Sequence, residues 1–187
     1  MSAELYPVFL KLDALPVVVV GGGEVAASKL AGLLAAGARV TVIAPQLSQA
    51  VRASSRTVAL VERPFEPADL DGARWVVAAA TPEVNREVAA AATARGLFVN
   101  AVDDTGSASA YLGGVVRRGP VAIAISTNGL APALAGLLRE ALDAVLPAEL
   151  EHWIDVATAA RAEWKAARIP ITERRPLLLR ALERIYS

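Results

Sequence analysis

Roughly the first hundred residues alternate between short apolar runs and longer amphipathic stretches. Val17 to Val20 is an unbroken valine run ending at Gly21-Gly22-Gly23, the pattern of a buried strand followed by a sharp turn. From Glu24 to Ala36, apolar residues (Val25, Leu30, Leu33, Leu34) return at helical spacing, and Gly37 stands where a helix takes its closing glycine. Arg39 to Ile43 predicts a second strand, stopped by Ala44-Pro45, and Thr57 to Val61 and Trp75 to Ala80 predict a third and a fourth. Thr81-Pro82 has the form of an N-cap followed by proline at the first helical position. A helix is therefore predicted to about Arg95, closed by Gly96 before a fifth strand, Leu97 to Val102. Strands separated by helices of this length predict βαβ units, an α/β class and a parallel sheet.

The pattern changes after Asp103. Asp104-Thr105-Gly106-Ser107 is turn chemistry. Val115-Val116 and Val121 to Ile125 flank Arg117-Arg118-Gly119-Pro120, which predicts an antiparallel hairpin. Leu130 to Val145 predicts an amphipathic helix, broken by Pro147. From Ala148 the chain is helical and Arg-rich, with expected interruptions at Pro170 and Pro176 and no strand signal. The expected organisation is a nucleotide-binding domain at 1–112, a linking or dimerising segment at 113–146 and a helical C-terminal region at 147–187.

Composition narrows the chemistry. The 187 residues carry 19 basic and 19 acidic side chains, one His and no Cys. Zero net charge argues against a mainly electrostatic nucleic-acid binder. Without Cys there is no thiolate nucleophile or Cys-type zinc site, and a single His excludes a multi-histidine metal centre. The hydrophobic fraction is 55% but aromatics supply only 5%, which suits strands rich in Val and Ala under helices. No apolar run reaches the 18 or so residues that would span a bilayer. Glu4 and the absence of a basic residue before Lys11 do not match a secretory signal, so a soluble, cytoplasmic protein is expected.

Val17 to Ala26 presents a strand, a G-x-G-x-x-A turn and a helix start in the order of a dinucleotide-binding turn. Gly21 would allow the tight turn, Gly23 the approach of a pyrophosphate, and Ala26 close helix–strand packing. Glu24 suits the positive end of the helix dipole but repels a phosphate placed too near, so its side chain is expected to point away. About 20 residues on, where an acid ordinarily holds the ribose, stands Ala44-Pro45-Gln46. That absence weakens a generic NAD assignment and argues against a channel-type NAD-sensing module. Gln46 is either a ribose partner or an exposed turn residue.

One family matches these residues in order and spacing. Tyr6 to Leu12, the triple-glycine turn with Val25-Ala26 and Lys29, Gly37-Ala38 and Ala44-Pro45 resemble precorrin-2 dehydrogenase/sirohydrochlorin ferrochelatase, the N-terminal module of sirohaem synthases. Ala80-Thr81 with Asn85, Asn100 to Asp104, Ile125 to Gly129 with Pro132, and Leu138-Arg139-Glu140 extend the resemblance to about residues 6–147. It implies a Rossmann-type sheet domain followed by a small dimerisation segment and a helical region, in a stand-alone form without a methyltransferase domain. It further implies NAD-dependent oxidation of precorrin-2, a tetrapyrrole, to sirohydrochlorin, a homodimer, and in some members insertion of Fe²⁺ as substrate.

The resemblance places the catalytic aspartate on Asp103, which its position at the end of the fifth strand supports independently. The bland alternative is a loop aspartate bonding its own backbone. Cofactor-binding candidates are Gly21, Gly22, Gly23, Glu24, Val25, Ala44, Pro45 and Thr81. Arg117, Arg118 and Arg139 read either as solvated surface arginines or as partners of the substrate's carboxylates. Ser126, Thr127 and Asn128 are expected to cap the following helix, with a secondary ligand role. His152, beside Trp153, reads as structural. Ala110 and Gly113 stand where the family usually has Phe and Pro, with Tyr111 adjacent, a departure from the family pattern that falls on the macrocycle pocket. The rival expectations are a chelatase-dominant enzyme with a vestigial NAD site and a non-enzymatic tetrapyrrole- or NAD(H)-binding regulatory module.

Overall fold

A computed structural model describes residues 4–186; the outermost positions of the expected first and last segments, 1–3 and 187, lie outside the described residues. The chain divides into two compact units with the boundary between Leu112 and Gly113.

The first unit holds five parallel strands: β1 (Pro16–Val20), β2 (Arg39–Ile43), β3 (Ala59–Val61), β4 (Trp75–Ala78) and β5 (Val99–Ala101). Their order in the sheet is β3-β2-β1-β4-β5. The four valines of β1 are all buried because alternate side chains enter opposite layers. Val17 and Val19 meet Ala26, Leu30 and Leu33 of α1 (Glu24–Ala35), while Val18 and Val20 share a cluster with Val88, Ala89 and Ala92 of α3 (Pro82–Ala94). Helices therefore cover both faces. Paired C-terminal bonds close α1 at Gly37 and α3 at Gly96, as the pattern predicts.

Two elements carry no legible period. The short α2 (Gln49–Ala53) is capped by Ser48, whose Oγ accepts from Val51 N at 3.3 Å. A 3₁₀ turn over Pro67–Leu70 makes the crossover to β4. Three strands are shorter than predicted. Thr57 and Val58 donate their amides to Ser54 O and so belong to the turn after α2. Ala79 N still donates to Val20 O at 2.7 Å, but Ala79 and Ala80 lie past the end of β4 against the glycine turn, and Leu97 closes α3 instead of opening β5.

In the second unit, β6 (Gly114–Arg118) and β7 (Val121–Ile125) form the predicted antiparallel hairpin, with α4 (Pro132–Val145) against β6. Then come α5 (Leu150–Ala166) and α6 (Ile171–Glu183). Pro170 separates these two helices, but Pro176 lies inside α6 and does not interrupt it, contrary to expectation. It is exposed and near the helix start, where the carbonyl it leaves unpaired can take water. Trp153 Nε1 donates to the Tyr186 hydroxyl at 2.8 Å, and their rings meet edge to face. His152 is exposed beside this pair. Among the described residues, no helix is long and apolar enough to cross a membrane.

Candidate active site

The carboxyl ends of β1, β2 and β4 surround a cleft of about 200 Å³. It lies where the strand order reverses, the usual ligand crevice of an open parallel sheet. Its wall is largely apolar (Val20, Ile43, Phe65, Val84), with Thr81 and Glu87 as the polar side chains.

The glycine turn beside the cleft is built from three different requirements. Gly21 has φ +131°, and a Cβ there would fall 2.2 Å from Ala79 O. A Cβ on Gly22 would fall 1.9 Å from Gln46 O, so both positions are dictated by the chain's own backbone. Gly23 is the N-cap of α1, and a Cβ there would meet nothing within 4 Å. No side chain caps this helix, and Gly23, Glu24 and Val25 are exposed. First-turn amides have no acceptor within their own helix, so this end presents donors and a positive dipole to open space. Ala44 is buried, whereas Pro45 and Gln46 are exposed, so no carboxylate stands at the end of β2. Open space before Gly23, uncapped amides and an adjacent apolar cleft fit a dinucleotide held by its phosphates and by shape.

The far wall is set by an ion pair. Arg63 donates from Nη1 to Asp69 Oδ2 (2.9 Å) and to Pro64 O (2.9 Å), and Glu66 N donates to Asp69 Oδ2 (2.8 Å). This fork fixes the segment carrying Pro64 and Phe65. The Arg63 hydrogen bond, followed by the Glu66 amide, holds the Asp69 carboxyl below its ordinary range. A carboxyl lowered on folding stabilises above its unfolded pKa and loses that contribution as pH falls through the folded one. Thermal midpoints should therefore be unaffected by this pair from pH 7 down to about 4. Below that they should drop, and Asp69→Asn should flatten this acid limb.

Asp103 follows β5 on the same carboxyl edge, one strand beyond β4, with φ +58°. It is exposed, and its carboxylate has no hydrogen bond or ion pair among the described residues. The loop-bonding role belongs to Asp104, whose Oδ1 accepts from Gly106 N and Ser107 N, each at 3.1 Å. The Ser107 hydroxyl, its amide and the Gly106 amide hold the Asp104 carboxyl below its usual range. Tyr111 donates its hydroxyl to Thr105 O at 2.9 Å, and Ala110 is half-buried against the core.

The remaining candidates lie in the second unit. Arg118 is paired with Asp143 (2.7 Å), tying the hairpin to α4, whereas Arg117 is exposed with no side-chain partner among the described residues. Arg118→Ala should lower the stability of this unit by about 1 kcal/mol and Arg117→Ala by almost nothing, read by thermal melts. Arg139 pairs with Glu140 at 3.0 Å and packs its Cβ against Gly114, which is in register with Ile125. Arg139 is thus at the end of the hairpin from which Ser126, Thr127 and Asn128 emerge, while Arg117 is near the turn. The capping expectation for those three residues is corrected. The N-cap of α4 is Ala131, kept out of the helical region by Pro132, and Thr127 Oγ1 instead accepts from Ala131 N (3.3 Å) and Ser126 Oγ from Asn128 N (3.1 Å). A Cβ on Gly113 would fall 1.8 Å from Ile125 O, which accounts for glycine there.

Phe65, Val84 and Glu87 were not legible as cleft residues. For the last two the one available signal is three-residue spacing from Thr81, which puts them on one helix face. Phe65 has no such signal.

Residues 8–114 match a family model described as "Putative NAD(P)-binding", and residues 118–144 match one described as "Sirohaem biosynthesis protein central". The chain is 44% identical over 183 residues to siroheme synthase 1 of Aeromonas salmonicida (strain A449), covering 96% of this chain and 39% of that protein. It is 42% identical over 180 residues to siroheme synthase 2 of Aeromonas hydrophila subsp. hydrophila, covering 95% and 38%. The chain thus spans under two fifths of the length of these relatives. A solved structure, "SirC, precorrin-2 dehydrogenase", superposes with a TM-score of 0.71 at 22% identity over 94% of this chain and 88% of that one, which establishes the shared fold. With more than half of its length matched by the first model, the chain belongs to the family described as putative NAD(P)-binding, and a segment matching the sirohaem central model follows it.

Proposed function

We propose that this protein oxidises precorrin-2 to sirohydrochlorin with NAD. The observation that carries the reading is the placement, on one carboxyl edge of one parallel sheet, of an open glycine turn and an unpartnered aspartate, Asp103. The names of the relatives and of the superposed structure support the substrate.

Bound NAD supplies the hydride acceptor. The amides at Gly23, Glu24 and Val25 would hold its pyrophosphate, Gly21 and Gly22 would keep the turn against its neighbours, and Ala44, Pro45 and Thr81 would shape the adenosine side. Dehydrogenation removes a hydride and a proton from the macrocycle, and the Asp103 carboxylate takes the proton. Arg117 and Arg139 would pair with substrate carboxylates, with Ser126, Thr127 and Asn128 as further polar contacts. If Fe²⁺ is also inserted, it enters as a substrate whose final ligands are the macrocycle's nitrogens, and Asp103 accepts the protons those nitrogens release.

The segment 113–146 serves as a homodimer interface in this reading, supported by exposed Val115, Leu134, Leu137 and Leu138, with 147–187 as a separate helical region. The reaction belongs in the cytoplasm, where NAD is available. Purified protein given precorrin-2 and NAD should yield NADH and sirohydrochlorin in equal amounts. Formation of neither overturns the reading; metal insertion without NAD would replace it with the chelatase.

A further inference from the structure

Asn85 is one of two buried polar side chains in the described core, at 3% exposure on the first turns of α3. Its Oδ1 accepts from Ala80 N at 2.9 Å, and its Nδ2 donates to Val102 O at 3.3 Å. Ala80 lines the cleft, and Val102 immediately precedes Asp103. Val102 N in turn donates to Ala78 O at 2.9 Å, and Gly21 is seated against Ala79 and Ala80. The loops at the ends of β1, β4 and β5 are therefore joined in series, through contacts that converge on one amide.

We propose that Asn85 is a positioning residue that holds the cleft wall at Ala80 and the Asp103 loop in one register. A primary amide is the side chain that meets both demands, because one atom must accept and the other donate. A hydrocarbon of similar size would leave Ala80 N–H and Val102 C=O buried without partners. A carboxylate would keep the acceptor for Ala80. Asn85 is not itself among the residues that line the cleft, so its effect on cofactor and catalysis passes through Ala80 and Asp103.

The kinetic part of this inference rests on the dehydrogenase reading; the binding part rests on the dinucleotide cleft alone. Asn85→Leu should weaken NAD binding by about tenfold in calorimetric titration and lower kcat with precorrin-2 by about tenfold or more. Val88→Ala, a buried change on the same helix, serves as the control for lost stability and should leave both values within about twofold at a comparable loss of thermal midpoint. Asn85→Asp should restore NAD affinity to within about threefold of the unsubstituted protein, since the bond to Ala80 survives. Folded Asn85→Leu with unaltered NAD affinity overturns the inference, as does a Val88→Ala protein with the same losses. If the unsubstituted protein binds NAD but does not turn over precorrin-2, the substrate reading fails and the affinity pattern alone judges Asn85. Should no Asn85 variant fold, amide exchange on the unsubstituted protein decides. Ala80 N–H should be protected at least about a hundredfold, and free exchange there overturns the inference.

Discussion

Asp103→Asn is expected to lower precorrin-2 turnover by about 10²- to 10⁴-fold while leaving NAD affinity and the thermal midpoint unchanged. Asparagine is the informative replacement because Asp103 has φ +58°, a left-handed conformation that Asn tolerates and alanine adopts only with strain. The substitution removes the proton acceptor and keeps the loop, whose Asx turn depends on Asp104. Asp103→Ala adds backbone strain of about 1 kcal/mol, so its activity loss would mix geometry with chemistry. NADH formation under saturating NAD is the measurement. Turnover within about twofold of the unsubstituted protein would remove Asp103 from the reaction.

Substituting alanine for each of the three glycines in turn should give two different kinds of damage. Gly21→Ala and Gly22→Ala each drive a methyl into backbone, at Ala79 O and Gln46 O, and Gly21 is also held at positive φ. Each should destabilise the first unit by about 3 kcal/mol or more, a large share of a domain's total stability. Gly23→Ala meets no neighbour, so its fold and thermal midpoint should be retained. Its methyl enters open space at the uncapped start of α1, and NAD affinity should fall by at least about tenfold. Thermal melts and calorimetric titration on the three proteins separate the outcomes. Undiminished NAD binding by folded Gly23→Ala would move the pyrophosphate away from this helix.

The features visible in the chain were those decided locally. Val17–Val20, Gly37 and Thr81-Pro82 express strand burial, helix closure and helix start through their own chemistry, and each stands where its pattern puts it. The α2 helix was invisible because five residues are too few to display a period, even with Ser48 as its cap. Ala79 and Ala80 are as apolar as the strand before them, and the strand ends where the Ala80 amide turns to Asn85 and the pair packs against Gly21. Ser126 to Asn128 have capping side chains, but Pro132 starts the helix later and leaves them in the preceding turn. The family resemblance points to Asp103, and the end of a parallel strand, where it stands, is a position the chain itself defines. Phe65 and Glu87 reach the cleft from segments far apart in sequence, a proximity that only the folded sheet creates.

The sheet of the first unit ends on both sides in strands of three residues, β3 and β5. Such short edges expose few unpaired backbone groups, too few to template the addition of a strand from another molecule. Growth of this sheet from chain to chain is thereby discouraged at the concentrations of a crowded cell. Association through this unit must then use side-chain surfaces, which close at a defined number of copies where the contact is two-fold.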